Sequence, residues 1–549
     1  MAQNLPSLCL FRILEFHSND LLTLYRCALV NRDWCQLAIP FLWKRPFSLL
    51  HQYTPETSSK RLIDVYISGF SSKERKSINL REKEGEIPTH SLLNYVTFLR
   101  ELDVAQTSNC ISSWSFITFE EINPAKILPI ISTFLKHFVK NSPKISQLIF
   151  NINLDHTLGT IYGGYNMNWK LLTYNNANNC FEKLKVLECV GDYNPKLLFN
   201  CSIISKRIEK ILISIYIDKF IIQYPKEMGK LQNLCTLIQV QQNLNSLIIN
   251  NVRDGGLGEH GVLDILELTN EIHQTLEILC FKYVDFDNNN FLKSIKNLRK
   301  LGTLKFEYCN LLKHPLEFDN KFDDNNNNNN DDDDIKENVL KGIFNLKIFK
   351  SKIQIPLLTF MISQSNDRLT ILDVRIKRIE SHNITNLLEI ISNNCKNLLE
   401  FSTYIIPNND LLPLLLPILS SNTKLEKLVI DTEYSDLFSE NVNNFLPNFG
   451  KHLPSSLRVL KILMKWFLHY DSLDKFFQES CAKLEVLKLK LADLINDSYI
   501  EVILKHSKDH LKLLNIDGIT SISDNTWNKL QQEEHLHVEF NPNILSRIY

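Results

Sequence analysis

The sequence predicts an α/β protein in which three short helices precede a long array of strand–helix repeats. The motif L-x-x-L-x-L, with any aliphatic residue or Phe at the leucine positions, recurs from Leu99 to Leu511. The intervening segments, such as "ITNLLEIISNNC" and "SYIEVILKHSKDH", read as helices. A strand–helix unit of this kind cannot bury its apolar face alone, so we expect the units to stack. The expected result is a solenoid with a parallel sheet on its concave face and helices on its convex face.

Composition limits the classes of function. Of 549 residues, 44% are hydrophobic and 22% are charged, which is typical of a folded chain. The 61 basic and 62 acidic residues give a net charge of −1, so a general attraction to nucleic acid or to anionic membranes is not expected. The most apolar stretch, "LLPLLLPILSS", is too short to cross a bilayer, and the N-terminus has no basic start typical of a signal peptide.

Cysteine usage points to a reducing compartment. The 12 cysteines are scattered singly, with no C-x-x-C pair. Cys189, Cys280 and Cys309 lie where a small buried apolar residue would serve. The pattern favours neither a disulfide framework nor a zinc site, and it predicts a cytoplasmic or nuclear protein.

Three helices are predicted within residues 1–48. Ser7 can cap the first helix, and Ser18, Asn19 and Asp20 form a break and a cap signal before the second. Asn31 can cap the third, which Pro40 is expected to end. A domain this small rarely holds together on its own core. Its apolar faces therefore need a partner or the rest of the chain.

The segment from Leu5 to Phe47, "LP…RILEF…DLLTLYRCALVNRDWCQLAIPFLWKRPF", resembles an F-box. The resemblance implies a module that docks on the Skp-type adaptor of cullin–RING ubiquitin ligases. The stretch "SLCLF" after the proline departs from the family, which often carries a glutamate there. The residues that the resemblance assigns to the adaptor interface are Leu5, Pro6, Ile13, Leu14, Leu21, Leu24, Val30 and Trp34.

Residues 49–96 are predicted to connect the helices to the array. The stretch "SSKRLIDVYISGF" places Leu62, Ile63, Tyr66 and Ile67 at helical spacing. The following "SSKERKSINLREKEGEIPTH" is a mixed-charge run with little to bury, and its glutamates offset its bases. It is therefore interpreted as a solvated linker.

Residues 97–531 resemble a leucine-rich-repeat array. One unit carries the fuller pattern "LGTLKFEYCN", with Cys309 where such repeats place Asn or Cys. Weaker copies start near Leu346 and Leu398, and residues 532–549 are predicted to form a C-terminal cap or tail. The clear copies start at Leu99, Ile145, Leu184, Ile208, Leu244, Leu276, Leu301, Leu369, Leu425, Leu457, Leu484 and Leu511.

The repeat between Leu301 and Leu346 contains an insertion. The run "FDNKFDDNNNNNNDDDD" at 318–334 cannot form a core and is expected to be a disordered loop. Removing these 17 residues from the step of 45 leaves 28, a normal repeat length. The run therefore interrupts one repeat and does not mark a domain boundary.

Two chemical motifs compete with the repeat interpretation. The stretch "GLGEHG", with Gly256, Gly258 and Gly261, matches the dinucleotide-binding pattern, but a repeat also reads strand, loop, helix. The histidines of "HSKDH" and "EEHLH" have no cysteine partners and are interpreted as solvated side chains. We expect no cofactor, no metal and no catalytic residue.

The outward positions of the last repeats predict a substrate surface. In L-x-x-L-x-L the later leucines point inward, so the residues flanking the middle leucine point away from the core. An apolar column beside a mostly basic one suits a protein segment with an acidic flank. The predicted residues are Val459, Lys461, Val486, Lys488, Leu513 and Asn515.

The resemblances together imply the substrate receptor of a Skp–cullin–F-box ubiquitin ligase, a non-catalytic subunit that holds a protein substrate near the ligase. The alternative is a repeat scaffold outside any ligase, in which the N-terminal helices cap the array. A third class, a nucleotide-dependent enzyme, depends on the glycine motif alone.

Overall fold

The protein is an α/β protein built from parallel strands and helices in a solenoid-like arrangement. The chain forms two compact units, Met1–Leu276 and Glu277–Tyr549. The boundary between them falls inside the segment predicted to be one array. The computed structural model describes residues 6–48, 56–80, 93–119, 124–142, 144–151, 168–191, 194–215, 225–251, 275–284, 286, 295, 298–311, 340, 342–365, 367–377, 381–405, 411–432, 440–507, 509–519, 522–533 and 535–540.

Three helices form an N-terminal module, which we define as residues 6–48. Asp20 accepts a hydrogen bond from the Thr23 backbone N–H at 3.0 Å, and Asn31 accepts one from Trp34 at 2.9 Å. The cap predicted at Asn31 is therefore confirmed, and Asp20 is the residue of the predicted group 18–20 that caps the second helix. The helices are α1 (Ser7–Phe16), α2 (Leu21–Ala28) and α3 (Arg32–Leu42).

Two boundaries of the module differ from the sequence prediction. Pro6, with extended backbone, occupies the N-cap position of α1, so the helix begins at Ser7 itself. Pro40 lies inside α3, which continues to Leu42. Because Pro40 lies close to the end of the helix and removes only one backbone donor, the last turn can still form.

The described part of the connector at 56–80 is largely helical. Helix α4 (Glu56–Ser68) buries Ile63, Tyr66 and Ile67, as their helical spacing predicted. The mixed-charge run, predicted as linker, begins with a short helix, α5 (Ser72–Ser77). Because Ser71 and Glu74 form a capping box, this helix starts at a defined residue despite its lack of apolar side chains.

Unit 1 contains five parallel strands that pair in chain order. They are β1 (Glu101–Asp103), β2 (Gln147–Asn151), β3 (Val186–Val190), β4 (Lys210–Ile215) and β5 (Ser246–Asn251). The helices of this unit after α5 are α6 (Val104–Thr118), α7 (Pro124–Asn141), α8 (Ala177–Phe181), α9 (Lys196–Ile204) and α10 (Pro225–Gln239).

Unit 2 continues the same strand–helix pattern. Ten of its strands, β6, β7, β9, β11, β12, β13, β15, β16, β17 and β18, pair in parallel in chain order. The strands are β6 (Ile278–Lys282), β7 (Thr303–Glu307), β8 (Asn310–Leu311), β9 (Asn345–Phe349), β10 (Lys352–Ile353), β11 (Ile371–Val374), β12 (Glu400–Tyr404), β13 (Lys427–Asp431), β14 (Glu440–Asn441), β15 (Val459–Phe467), β16 (Val486–Ile495), β17 (Leu513–Ile519) and β18 (His537–Phe540). The helices are α11 (Ile355–Gln364), α12 (Ser381–Asn394), α13 (Leu415–Ser421), α14 (Leu446–His452), α15 (Tyr470–Glu479), α16 (Asp497–Ser507) and α17 (Asp524–Gln532).

Every predicted repeat start leads into a strand. In the weak copy near Leu346, that residue pairs with Leu304, the middle apolar residue of its repeat, so the copy starts at Ile343. Apart from the two-residue strands β8, β10 and β14, one strand was missed: β18 lies in the predicted tail and pairs with β17. The segment "HLHVEF" has His535 at the first leucine position and keeps the pattern only at Val538 and Phe540, which is too weak to recognise alone.

A repeating hydrogen bond sets the register of the strands. The carbonyl of the residue before one strand accepts the N–H groups of two successive residues in the next repeat. In unit 1, the Arg100 carbonyl accepts from Ser146 and Gln147 at 2.8 and 3.0 Å. In unit 2, the Arg458 carbonyl accepts from Glu485 and Val486 at 2.7 and 3.0 Å. This fixed register aligns inward residues with inward residues along each sheet.

The core of the array follows the alternation of the motif. In β15, the residues at every second position, such as Leu460 and Ile462, are buried, whereas Val459 and Lys461 are partly exposed. The predicted inward and outward faces are therefore confirmed for this strand. Across the described segments, no helix combines the length and apolarity that crossing a bilayer would need.

Candidate protein-binding surfaces

The N-terminal module has a small core and an unusually apolar surface. Leu14, Leu24 and Ala38 are fully buried and form its centre. By contrast, Phe16 is 87% exposed, and Leu8 is 71% exposed. Eight of the 18 large apolar residues that are exposed in the described segments fall between residues 8 and 30: Leu8, Phe11, Ile13, Phe16, Leu22, Tyr25, Leu29 and Val30.

The geometry of α2 explains why its apolar residues are divided. Leu22, Tyr25 and Leu29 follow one another at three- and four-residue spacing, so they share one face of the helix. Leu24 lies on the opposite face and is fully buried. The helix therefore has apolar residues on both faces, and only one face is covered within the chain.

The residues predicted to contact an adaptor occupy different environments. Ile13 and Val30 are exposed, as is Pro6. Leu21 and Trp34 are partly buried. Leu14 and Leu24 belong to the module's own core, so they support this surface without forming part of it. Leu5 lies outside the described residues.

The end of the module is joined firmly to unit 1. Phe47 stacks on Tyr66 of α4 with ring centroids 5.6 Å apart, and both side chains are buried. Trp43 contacts the edge of the same tyrosine at 5.6 Å. Trp43 and Phe47 belong to the segment that resembles an F-box, and the structure shows that they face the rest of the chain.

Backbone hydrogen bonds extend this joint. The Lys44 carbonyl accepts from the N–H groups of Arg100 and Glu101 at 3.0 and 3.1 Å, the same arrangement that links successive repeats. The Ser48 hydroxyl also donates to the Glu101 carboxylate. Lys44 thus takes the place of a preceding repeat, which fixes the module to β1.

The predicted substrate residues form two aligned columns on unit 2. Val459 lies opposite Val486, which lies opposite Leu513. The second column, Lys461, Lys488 and Asn515, is aligned in the same way. All six side chains are partly exposed. The structure therefore brings together every residue that the sequence placed in this candidate site.

The basic column places like charges next to each other. Lys461 and Lys488 lie directly across the pair β15–β16, an arrangement that disfavours the sheet. Within the described part of the chain, neither lysine forms an ion pair. Lys427, on the neighbouring strand β13, instead binds Glu400 at 2.7 Å. The two facing lysines are therefore the part of this surface most able to accept an external anion.

The competing chemical motifs gain no support. The glycine motif at 256–261 and the insertion at 318–334 lie outside the described residues. His506 contacts Asp474 at 2.7 Å and stacks on Phe477, whereas His510 lies beyond the end of α16, so the two histidines do not share a helical turn. No group of three or more metal-binding side chains occurs among the residues that are described.

Eight of the 12 cysteines are buried as apolar core residues. All 12 are free thiols, and Cys189, Cys280 and Cys309 are buried as the sequence predicted. Burial raises the pKa of the Cys280 thiol to about 11, which disfavours the reactive thiolate. These positions therefore offer packing and not chemistry.

Comparisons with known proteins leave the family open. No family model matches the chain, and no curated protein does. Among solved structures, a crystal structure of a Bacteroides fragilis protein matches with 18% identity over 61% of this chain and 74% of that one. Its TM-score is 0.28, which is too low to support an argument about fold or function.

Proposed function

We propose that this protein is the substrate-recognition subunit of a Skp–cullin–F-box ubiquitin ligase and is not itself an enzyme. The N-terminal module would dock on a Skp-type adaptor, and the repeats would hold a protein substrate. The observation that carries the proposal is the cluster of eight exposed apolar side chains between residues 8 and 30. Surface of this kind marks a site that another protein covers.

The joint between the module and unit 1 suits this role. A receptor works by proximity, which requires the substrate to stay within reach of the ligase's charged ubiquitin carrier. Contacts of Phe47 with Tyr66 and of Lys44 with β1 restrict movement of the module against the first repeats. A tethered module without such contacts would spread the substrate over a larger volume and lower its effective concentration.

The docking test uses the full chain and a purified Skp-type adaptor. We expect Leu8→Ser with Phe16→Ser to abolish capture, because loss of an interface anchor costs roughly 2–4 kcal/mol. The matched control is Phe199→Ser with Ile203→Ser, which alters two exposed apolar residues of α9. Capture that survives the first pair, or that is lost equally with the control, would contradict the proposal.

A second pair tests the residues assigned by resemblance. Pro6→Ala with Trp34→Ala should also abolish adaptor capture while the repeats stay folded. Because Trp34 is partly buried, circular dichroism melting must accompany the pull-down. Unchanged capture with an unchanged melt would show that the resemblance misidentified the interface.

The substrate test uses the two facing lysines. Proximity labelling by the full chain and by a chain without residues 1–48 would identify a substrate that depends on the ligase. Lys461→Glu with Lys488→Glu should then release that substrate and leave adaptor capture intact, because the anion-accepting column becomes repulsive. A substrate that stays bound would place its site elsewhere on the chain.

A repeat scaffold capped by the N-terminal helices is the second candidate. The contact of Phe47 with Phe138 of α7 and the hydrogen bonds from Arg100 and Glu101 to the Lys44 carbonyl favour it, since they cover the first repeat as a cap does. The two candidates differ in one measurable property. If the helices only cap the array, the wild-type chain should not capture the adaptor. Removal of residues 1–48 should nevertheless lower the melting temperature of the chain.

A further inference from the structure

Three neighbouring strands of unit 2 end in an uncommon backbone conformation. Tyr283, Tyr308 and Lys350 have φ of 55°, 58° and 50°, in the left-handed region. Each lies seven residues after the first apolar residue of its repeat, where unit 1 uses Gly191 with φ of 93°. A non-glycine residue in this region costs roughly 1–2 kcal/mol. Bulky side chains therefore stand where glycine would serve the backbone better.

Two of these side chains form an exposed stack. The Tyr283 and Tyr308 rings lie 4.8 Å apart and within 9° of parallel. They are 49% and 36% exposed, so water reaches a large part of each ring. Phe349, the last residue of β9, meets Tyr308 edge-on at 5.6 Å. The strand ends thus build a small aromatic platform from three separate repeats.

Basic side chains surround this platform. Lys350 and Lys377 place their Nζ atoms 5.9 and 5.8 Å from the centroid of the Tyr308 ring. Within the described segments, neither lysine forms an ion pair. Arg375 lies 4.4 Å from the Phe349 ring, but Asp373 already binds its guanidinium at 2.6 Å. The two lysines are therefore the cations still able to bind an external anion.

We infer that Tyr283, Tyr308, Phe349, Lys350 and Lys377, which we name the tyrosine–lysine cluster, bind an acidic segment of a partner protein. A carboxylate or phosphate group of the segment lies between Lys350 and Lys377, and an apolar or aromatic side chain beside it covers the exposed tyrosine stack. Binding of the acidic segment does not depend on the proposed function. Only the identification of that partner as the ligase substrate rests on it.

The charges beside the cluster favour a protein segment over a nucleic acid. Glu307 lies on the strand that leads to Tyr308, where it binds Lys282 and Lys347 at 2.8 and 3.0 Å. Asp373 and Asp431 both face Arg375. A chain of phosphates would meet these carboxylates, whereas a single anionic group beside an apolar residue need contact only the lysines and the rings.

The test measures binding of dye-labelled peptides to the full-length protein by fluorescence anisotropy in about 150 mM salt, where long-range attraction is screened. The first probe is a decapeptide with a central Phe between two pairs of Glu, and the second has phosphoserine in place of two of the Glu. The third replaces all Glu by Gln. We expect the first or second probe to bind at least about tenfold more tightly than the third, because only these present an anion to the lysines.

Two variants locate the site. Lys350→Gln with Lys377→Gln should weaken binding of the better acidic probe by at least about tenfold, as loss of a central anchor does. Tyr308→Gly should weaken it similarly, and glycine suits the left-handed backbone, so the fold is kept. The matched control, Lys424→Gln with Lys451→Gln, removes the same charge at two exposed positions of unit 2 and should leave the affinity within about twofold at this salt.

Specific outcomes would overturn the inference. Equal loss in both lysine pairs would indicate general charge attraction, and loss only in the control pair would place the site elsewhere in unit 2. Equal binding of the Gln peptide would remove the role of the anion. Tighter binding of a ten-nucleotide oligothymidylate would favour nucleic acid. Because no adaptor is present, failure here leaves adaptor capture by the N-terminal module unaffected, and the reverse also holds.

Discussion

The N-terminal module and the strand–helix repeats differ in how far they bury large apolar side chains. In the repeats, Leu428 of β13 is fully buried between Phe401 and Leu460 of the adjacent strands. In the module, Phe16 is 87% exposed at the end of α1. Each inner repeat has a neighbour on both sides, whereas the described contacts that join the module to unit 1 lie at its C-terminal end. The difference shows where the protein lacks a covering surface.

Stability should separate the two regions most strongly. Leu428→Ala leaves a cavity in unit 2 and should lower the free energy of unfolding by about 2–5 kcal/mol. Phe16→Ala removes an exposed ring and should change it by no more than about 0.5 kcal/mol. Urea unfolding followed by circular dichroism measures both values. A large loss from Phe16→Ala would mean that this side chain is covered in solution.

The joint between the two regions provides the next effect. Phe47→Ala removes a buried ring that stacks on Tyr66. A Phe→Ala change in a fully buried core lowers the free energy of unfolding by about 3–5 kcal/mol. We expect the loss to be local, since the module can separate while the repeats keep their own core. Hydrogen exchange should rise across residues 6–48 and stay unchanged in β15 to β17. A uniform rise would show that module and repeats unfold together.

Acid should lower the stability of unit 1 around His137 and Glu74. Burial lowers the pKa of His137, and its Nδ1 contacts Glu74 at 3.1 Å. As the pH falls, the unfolded chain therefore binds a proton at this histidine before the folded chain does. The free energy of unfolding thus decreases as the pH drops below 6.5, the ordinary pKa of histidine. Despite the partial burial of Glu74, hydrogen bonds from Ser71 and contact with His137 lower the pKa of its carboxyl group. The free energy of unfolding therefore decreases further when this carboxylate is protonated.

His137→Leu tests that assignment. Without a proton to take up at this position, the melting temperature should fall less between pH 7 and pH 5 than in the wild type. The comparison uses the slope of melting temperature against pH, because the substitution also changes the packing against Phe70. An unchanged slope would assign the acid sensitivity to other groups.

The smallest expected effect concerns the facing lysines of unit 2. Lys461→Glu replaces a Lys–Lys pair across β15 and β16 with a Glu–Lys pair, which should raise stability by about 0.2–1 kcal/mol. Val459→Thr, on the adjacent column, is a control that leaves the charge unchanged. A gain from the charge change would show that the wild-type chain keeps an unfavourable pair on this surface. No gain would indicate that the lysine side chains already avoid each other.

The repeat pattern could be predicted almost completely from the sequence. Side chains alternate across a strand, so a motif such as "LRVLKI" fixes which residues are buried before any neighbour is known. The columns through Val459 and Lys461 followed from the same rule, and the caps at Asp20 and Asn31 from local hydrogen bonding. The strand β18 was missed because its segment keeps too little of the apolar pattern.

The tertiary structure decided what local patterns leave open. Leu14 and Phe16 lie two residues apart in one helix, yet only packing shows that the first is core and the second is surface. The tyrosine–lysine cluster was not predicted because Tyr283, Tyr308 and Lys377 lie beyond the L-x-x-L-x-L residues of their repeats, where the motif no longer fixes the direction of a side chain. Parallel strands bring such residues together only when the register of each pair is set, and that register depends on hydrogen bonds between distant segments of the chain.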